Sequence, residues 1–323
     1  MEIKKIAQLT GHQAAVFALA TRFETPQYFL SGAGDGWLVA WDLAKPDVGR
    51  LVAKVEKNIF SLCFSPVGNV VVVGDMDGGV RFVDLDEPTR TRNIKHHQRG
   101  TFAVEVFDNQ LFTAGGDGIL TRWSAEEMRS IESVQLSNKS LRTMDFSQTR
   151  NEIAVGASDG NIYLLDFQTL DVKAVLPKAH DPSVFSIKYT PNGKHLLSGG
   201  RDALLKIWHI GILDIGILDN KILPTSSVAA HLFTINAIAF HPTEPTIFAT
   251  ASRDKTIKIW QLTQLKTQNA LEATLRATLL KVIDTVRHGC HVRSVNRLLW
   301  SPFGNYLLSA SDDRSVIVWQ IDL

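Results

Sequence analysis

Residues Leu307 to Trp319 read Leu-Leu-Ser-Ala-Ser-Asp-Asp-Arg-Ser-Val-Ile-Val-Trp: two short apolar runs joined by a polar turn. With Asp313 as the turn marker, Ser309 lies four residues before it and Trp319 six after. The same spacing recurs at Ser31, Asp35 and Trp41; at Thr113, Asp117 and Trp123; at Ser198, Asp202 and Trp208; and at Thr250, Asp254 and Trp260. Two weaker copies keep only the acid, as Val73, Asp77, Val83 and Val155, Asp159, Leu165. Seven like-sized units describe a repeat protein, in which no unit buries its own apolar face without a neighbour.

The stronger copies share an upstream histidine. His12, His97, His180, His231 and His291 each precede their aspartate by about twenty residues, with an alternating apolar segment between. With this set the chain resembles the WD40 family, and Gly11-His12 and Trp41-Asp42 come nearest to its name-giving dipeptides. The terminal pair departs from that pattern at Trp123-Ser, Trp208-His, Trp260-Gln and Trp319-Gln. The resemblance covers nearly the whole chain and implies an all-β fold, a seven-bladed WD40-type β-propeller with four antiparallel strands per blade. Residues 1–323 then form a single domain. The chain stops just after the third strand of the last unit, so the N-terminal strand, 4–9, is expected to complete that blade and close the ring.

Two connections are longer than the rest, 209–230 and 261–288, and both are expected to link neighbouring blades. The first includes Ile212–Leu218. In the second, Leu271, Leu275 and Leu279 fall at helical spacing, which predicts a short rim helix followed by an outer strand near Lys281–Val286.

The bulk numbers exclude several function classes. A hydrophobic content of 45% fits a soluble globular protein, and a net charge of +1 recruits neither nucleic acid nor an anionic membrane through its field. The two cysteines, Cys63 and Cys290, lie far apart and make no disulfide framework. No window approaches a membrane span, and the first ten residues lack an apolar leader segment; a cytoplasmic protein is expected.

The resemblance implies what each polar set does: the aspartate accepts from one imidazole nitrogen, the other meets the Ser/Thr hydroxyl, and that hydroxyl accepts the Trp indole N–H. Ser, His and Asp together also suggest a hydrolase. Five copies are redundant for catalysis, and the indole occupies the hydroxyl, so no catalytic residue is assigned. Blades two and four lack histidine, hydroxyl and indole together, with Val55 and Ser137 where the histidine belongs. Discarding all three at once avoids a half-satisfied network. Gly32–Gly36 is followed by a strand rather than a phosphate-binding helix, and Asp75–Gly78 lacks the later ligands of a calcium loop. His288, Cys290 and His291 could approach a metal, but His291 belongs to a polar set; no metal or cofactor is expected.

In the WD40 family the residue five after the histidine lies near the top of the channel. The resemblance thus places Phe17, Phe60, Phe102, Arg142, Phe185, Asn236 and Asn296 at one level, where rigid aromatics could hold a peptide side chain or serve as packing. The residue before each turn aspartate also faces the top, which adds Met76, Arg201 and Arg253, the two arginines on adjacent blades able to receive an acidic group. The run Arg90, Arg92, Lys95, His96 and Arg99 reads as a solvated edge, with phosphate binding as its alternative. The expected function is a non-enzymatic scaffold for a protein or peptide partner, monomeric by itself and binding neither membrane nor nucleic acid. An enzyme or small-molecule binder hosted by a propeller is the alternative.

Overall fold

A computed structural model describes residues 1–22, 24–210, 224–265 and 274–323. Seven four-stranded antiparallel sheets follow one another around a ring. In blade one the order is Val16–Thr21, Tyr28–Ala33, Trp37–Asp42 and Arg50–Lys54, each strand paired with the next. The first strands of the other blades are Ile59–Phe64, Thr101–Phe107, Leu141–Ser147, Val184–Tyr189, Ile235–Phe240 and Val295–Trp300. All seven line a central channel of about 540 Å³.

Burial follows radial position. The second strands Val70–Asp75, Glu152–Ala157 and Ile247–Ser252 are buried at every residue, covered on both faces by neighbouring blades. That is why Val70-Val71-Val72-Val73 runs apolar without alternation. Each such side chain contributes about 1.5–3 kcal/mol when fully buried. Outer strands such as Arg129–Gln135 are mostly exposed and correspondingly polar.

The ring closes through its termini. Glu2–Leu9 pairs antiparallel with Val316–Asp322, from Glu2 opposite Asp322 to Leu9 opposite Val316. The last sheet therefore runs Glu2–Leu9, Val316–Asp322, Tyr306–Ser311, Val295–Trp300. Lys5 Nζ also donates to Gly289 O at 2.8 Å, and Gln8 Nε2 to Ser315 Oγ at 3.2 Å.

The long connections differ from expectation. Ile257–Leu265 pairs with Thr274–Ile283 in an extended hairpin, so Leu275 and Leu279 lie on a strand and not on a rim helix. A four-residue spacing is also a multiple of the strand's two-residue period, and the free edge of the third strand recruits the segment as its fourth. Among the described residues the helical turn there is Thr285–His288, with Asp284 Oδ1 accepting from Arg287 N at 2.7 Å. Blade five likewise gains its outer strand, Ser226–Ala229, inside the earlier connection. Both insertions thus fall between third and fourth strands of one blade rather than between blades. Ile212–Leu218 and Leu271 lie outside the described residues.

The turn after each second strand requires a left-handed residue. Gly36, Gly78, Gly118 and Gly160 have φ of +76°, +92°, +84° and +86°. A Cβ on Gly118 would stand 1.7 Å from Ser137 O, because this turn lies directly against the loop entering the next blade. Blade five places Ala203 there at φ 63°, showing that its loop leaves room for a methyl. Gly118→Ala is therefore expected to cost about 3 kcal/mol in urea unfolding, and Ala203→Gly less than about 1 kcal/mol. Equal losses at the two positions would contradict the close approach.

Candidate functional site

The structure brings all five polar sets together. Nδ1 of His12, His97, His180, His231 and His291 lies 3.1, 3.1, 2.8, 2.9 and 2.8 Å from a carboxylate oxygen of Asp35, Asp117, Asp202, Asp254 and Asp313. Nε2 meets the hydroxyl of Ser31, Thr113, Ser198, Thr250 and Ser309 at 2.7–2.9 Å. Nε1 of Trp41, Trp123, Trp208, Trp260 and Trp319 donates to that same hydroxyl at 2.8–2.9 Å. All five hydroxyl residues have no exposed surface. Closed to solvent and bonded on both sides, the groups brace the blade from within.

Each aspartate does more than the spacing suggests. It also accepts from the backbone N–H just after the histidine and from the N–H two residues beyond itself: Gln13 N and Trp37 N for Asp35, at 2.7 and 2.9 Å. One carboxylate thereby ties the loop entering a blade to the turn inside it. A second tie repeats in every blade. The residue before the turn aspartate donates its N–H to the entering loop, as Gly34 to Ala15 O at 2.9 Å and Arg253 to Thr234 O at 3.0 Å. Nothing in the side-chain pattern signals these backbone bonds.

Burial lowers the pKa of His12, His97, His180 and His231 below its ordinary value, outweighing the carboxylate beside each. These imidazoles are neutral, with Nδ1–H donating to aspartate and Nε2 accepting from the hydroxyl. Burial likewise pushes Cys290 up to about 12 and raises Cys63 well above its usual range, so both free cysteines are protonated thiols.

Blades two and four hold their turns differently. In blade four Ser137 Oγ donates to Asp159 Oδ2 at 2.6 Å and Tyr163 Oη to the same oxygen at 2.7 Å. The serine at the histidine position thus keeps a polar bond, so this blade has exchanged its network rather than lost it. In blade two the buried acid is Asp75, not Asp77. Asp75 accepts from Asp77 N, Gly79 N and Arg81 Nε at 2.8–2.9 Å, while Asp77 pairs with Lys57 at the surface.

At the channel mouth the second residues of the first strands form a belt. Phe17 meets Phe60 edge-on at 5.2 Å, and Phe60 stacks on Phe102 at 5.5 Å. The Arg142 guanidinium lies 4.0 Å above Phe102 and 5.7 Å from Phe185. Asn236 Nδ2 donates to Ser294 Oγ and Val295 O, and Asn296 Nδ2 to Val16 O and Asp312 Oδ1, so both amides are bound to neighbouring strands and turns. All seven side chains are half-buried. Deeper in the channel Arg297 reaches Glu105 at 2.9 Å from blade seven to blade three, and Lys188 reaches Asp145 at 2.6 Å.

Met76, Arg201 and Arg253 stand exposed on the loops around this mouth. Three members of the basic run have partners within the protein. Arg92 Nη1 donates to Glu127 O, His96 Nε2 bonds Thr121 Oγ1 with its ring against Trp123, and Arg90 lies near Asp84 and Glu87. Cys290 and His288 flank the His291 set, where His288 Nδ1 accepts from Asp284 N at 3.4 Å. Among the described residues no helix is long and apolar enough to cross a membrane.

Ser198→Ala strands one imidazole and one indole N–H and is expected to cost about 3 kcal/mol in urea unfolding; a loss under about 1 kcal/mol would contradict the shared-hydroxyl geometry. The lowered imidazoles also set a pH dependence. The unfolded chain takes up protons below about pH 6.5 that the four buried rings refuse, so stability present above that pH falls as the solution is acidified. Calorimetry should show Tm declining from pH 7 to pH 5, where a flat profile would contradict neutral rings.

Comparison with known proteins agrees with this geometry. The family model described as WD domain, G-beta repeat, matches residues 3–42, 49–84, 172–209, 223–261 and 281–320. Nuclear distribution protein nudF from Emericella nidulans is 24% identical over 301 residues, covering 86% of this chain and 63% of that protein, so the chain spans less than two thirds of that relative. The crystal structure of the WD40 beta propeller domain of Doa1 has a TM-score of 0.80 at 17% identity, over 100% of this chain and 98% of that one. With its repeats matched over more than half its length, the chain belongs to the WD domain, G-beta repeat family.

Proposed function

We propose that the protein is a non-enzymatic scaffold holding a protein or peptide partner on the channel mouth and the surrounding loops. The single observation that carries this reading is the belt of Phe17, Phe60, Phe102 and Phe185 with Arg142. These are rigid rings, half-exposed along one continuous side of the mouth. Rings already held by their neighbours lose little conformational freedom on binding, which favours affinity. Asn236 and Asn296 form the remainder of the rim and position the edge. The five Ser/Thr hydroxyls that might suggest hydrolysis have no exposed surface and carry an indole bond. That favours binding over catalysis. Membership of the family and likeness to a nuclear distribution protein fit the same reading.

The test is affinity capture from a cell extract with mass spectrometry, comparing the wild type with a folded Phe17→Ala, Phe102→Ala, Phe185→Ala variant. A control variant carries Ile131→Ala on the exposed outer strand of blade three. The mouth variant is expected to lose its partner by tenfold or more while the control retains it. Retention by the mouth variant, or equal loss in both, would overturn the site.

A further inference from the structure

The first strands that line the channel carry three cations, Arg142, Lys188 and Arg297, and two carboxylates, Glu105 and Asp145. Lys188 is neutralised by Asp145 and Arg297 by Glu105. Arg142 has no carboxylate partner among the described residues. Its Nε donates to Ser158 Oγ at 2.9 Å, and both Nη atoms are without a hydrogen bond to any described residue. Burial alone pulls the guanidinium below its ordinary value, with no neighbouring charge to restore it. The chain thus holds a desolvated cation at the mouth, clamped against the face of Phe102, with its two-nitrogen end unspent.

Its surroundings extend the same chemistry. Phe102 is flanked by glycine: a Cβ on Gly100 or Gly116 would come within 3.1 Å of the far edge of the Phe102 ring, so their lack of side chains leaves open the edge that Phe60 and Arg142 do not cover. Arg99, Lys139 and Arg201, on the loops of the three blades that meet at Arg142, are exposed and have no carboxylate partner among the described residues. Outside the capped turn aspartates, these loops present one exposed carboxylate, Asp181.

We propose that the channel mouth reads an acidic peptide segment: one anionic side chain is received end-on by the two Nη atoms of Arg142, and an adjacent apolar side chain lies on Phe60 and Phe102. The inference rests on the channel mouth being the partner site. A planar guanidinium fork held by a ring and a hydroxyl is suited to bidentate capture of a carboxylate or a phosphorylated side chain. Arg99, Lys139 and Arg201 would steer that segment at low ionic strength.

The experiment is selection of a displayed random peptide library on the intact chain. Enriched peptides are then synthesised and their binding measured by fluorescence polarisation. The expected consensus has an acidic residue at one fixed position beside an apolar one. Changing that residue from Glu to Gln should weaken binding at least tenfold to the wild type but under threefold to Arg142→Ala. Arg142→Lys, which keeps the charge and loses the fork, should fall between and serves if the alanine variant does not fold. A phosphoserine version at that position distinguishes the sources: tighter binding assigns the site to a phosphorylated partner, equal or weaker binding to a carboxylate. Acid-independent peptides that still require Phe102 would overturn the anion pocket and leave the partner site standing. Peptides indifferent to both Phe102→Ala and Arg142→Ala, or no enrichment at all, would overturn both. Preference for a single-stranded oligonucleotide over every enriched peptide would reassign the cationic mouth to nucleic acid and overturn the peptide reading.

Discussion

Closure of the ring by two strands from opposite ends of the chain is the constraint on which the remaining geometry rests. Blade seven has only three strands of its own, and its third would leave unpaired N–H and C=O groups at an edge without Glu2–Leu9. Once the first strand is seated, blade one packs against blade seven as every other blade packs on its predecessor. Leu9, Val16 and Leu19 are buried with Leu308, Val316 and Val318 in one apolar cluster spanning the seam. Asn296 crosses the same seam to Val16 O. The Arg297–Glu105 pair, from blade seven to blade three, is likewise possible only in a closed circle.

Within that circle the polar sets act locally. Each holds the loop entering a blade against the turn inside it, and the buried hydroxyl leaves neither indole nor imidazole unpaired. Blade four shows that the requirement is for a satisfied carboxylate and not for histidine itself: Ser137 and Tyr163 supply the donors. Blade two moves the acid inward by two residues, to Asp75, and brings Arg81 from the next strand to meet it. The position that matters is the turn, and several side-chain combinations hold it.

These alternatives mark what the sequence makes legible. Five polar sets in phase reveal the repeat, because a Trp, a His and a hydroxyl at buried positions must be spaced so that they satisfy one another. Blade two offers two acids two residues apart, Asp75 and Asp77, and spacing alone selects the one that the structure places at the surface. The hairpin at 257–283 is hidden for another reason: Leu275 and Leu279 suit a strand and a helix alike, and the free edge beside them decides. The channel-mouth positions follow from a fixed offset in the family. That Asn236 and Asn296 are committed to neighbouring strands does not follow, since each bond crosses from one blade to the next and the repeat spacing within a blade does not reveal it.

Arg142 is the exception to the economy seen elsewhere in the channel. A half-buried guanidinium without a counter-charge among the described residues disfavours the folded state, and contact with Phe102 offsets only part of that cost. The same fold neutralises Arg297 across the full width of the ring and caps Asp145 with both Lys188 Nζ and Tyr189 N. Pairing of inward charges is therefore within its reach. An uncompensated charge held by a rigid ring and an oriented hydroxyl is the kind of local conflict that proteins keep at working sites, where a ligand supplies the missing partner. Because the cation is desolvated before binding, part of that reorganisation is complete when an anion arrives.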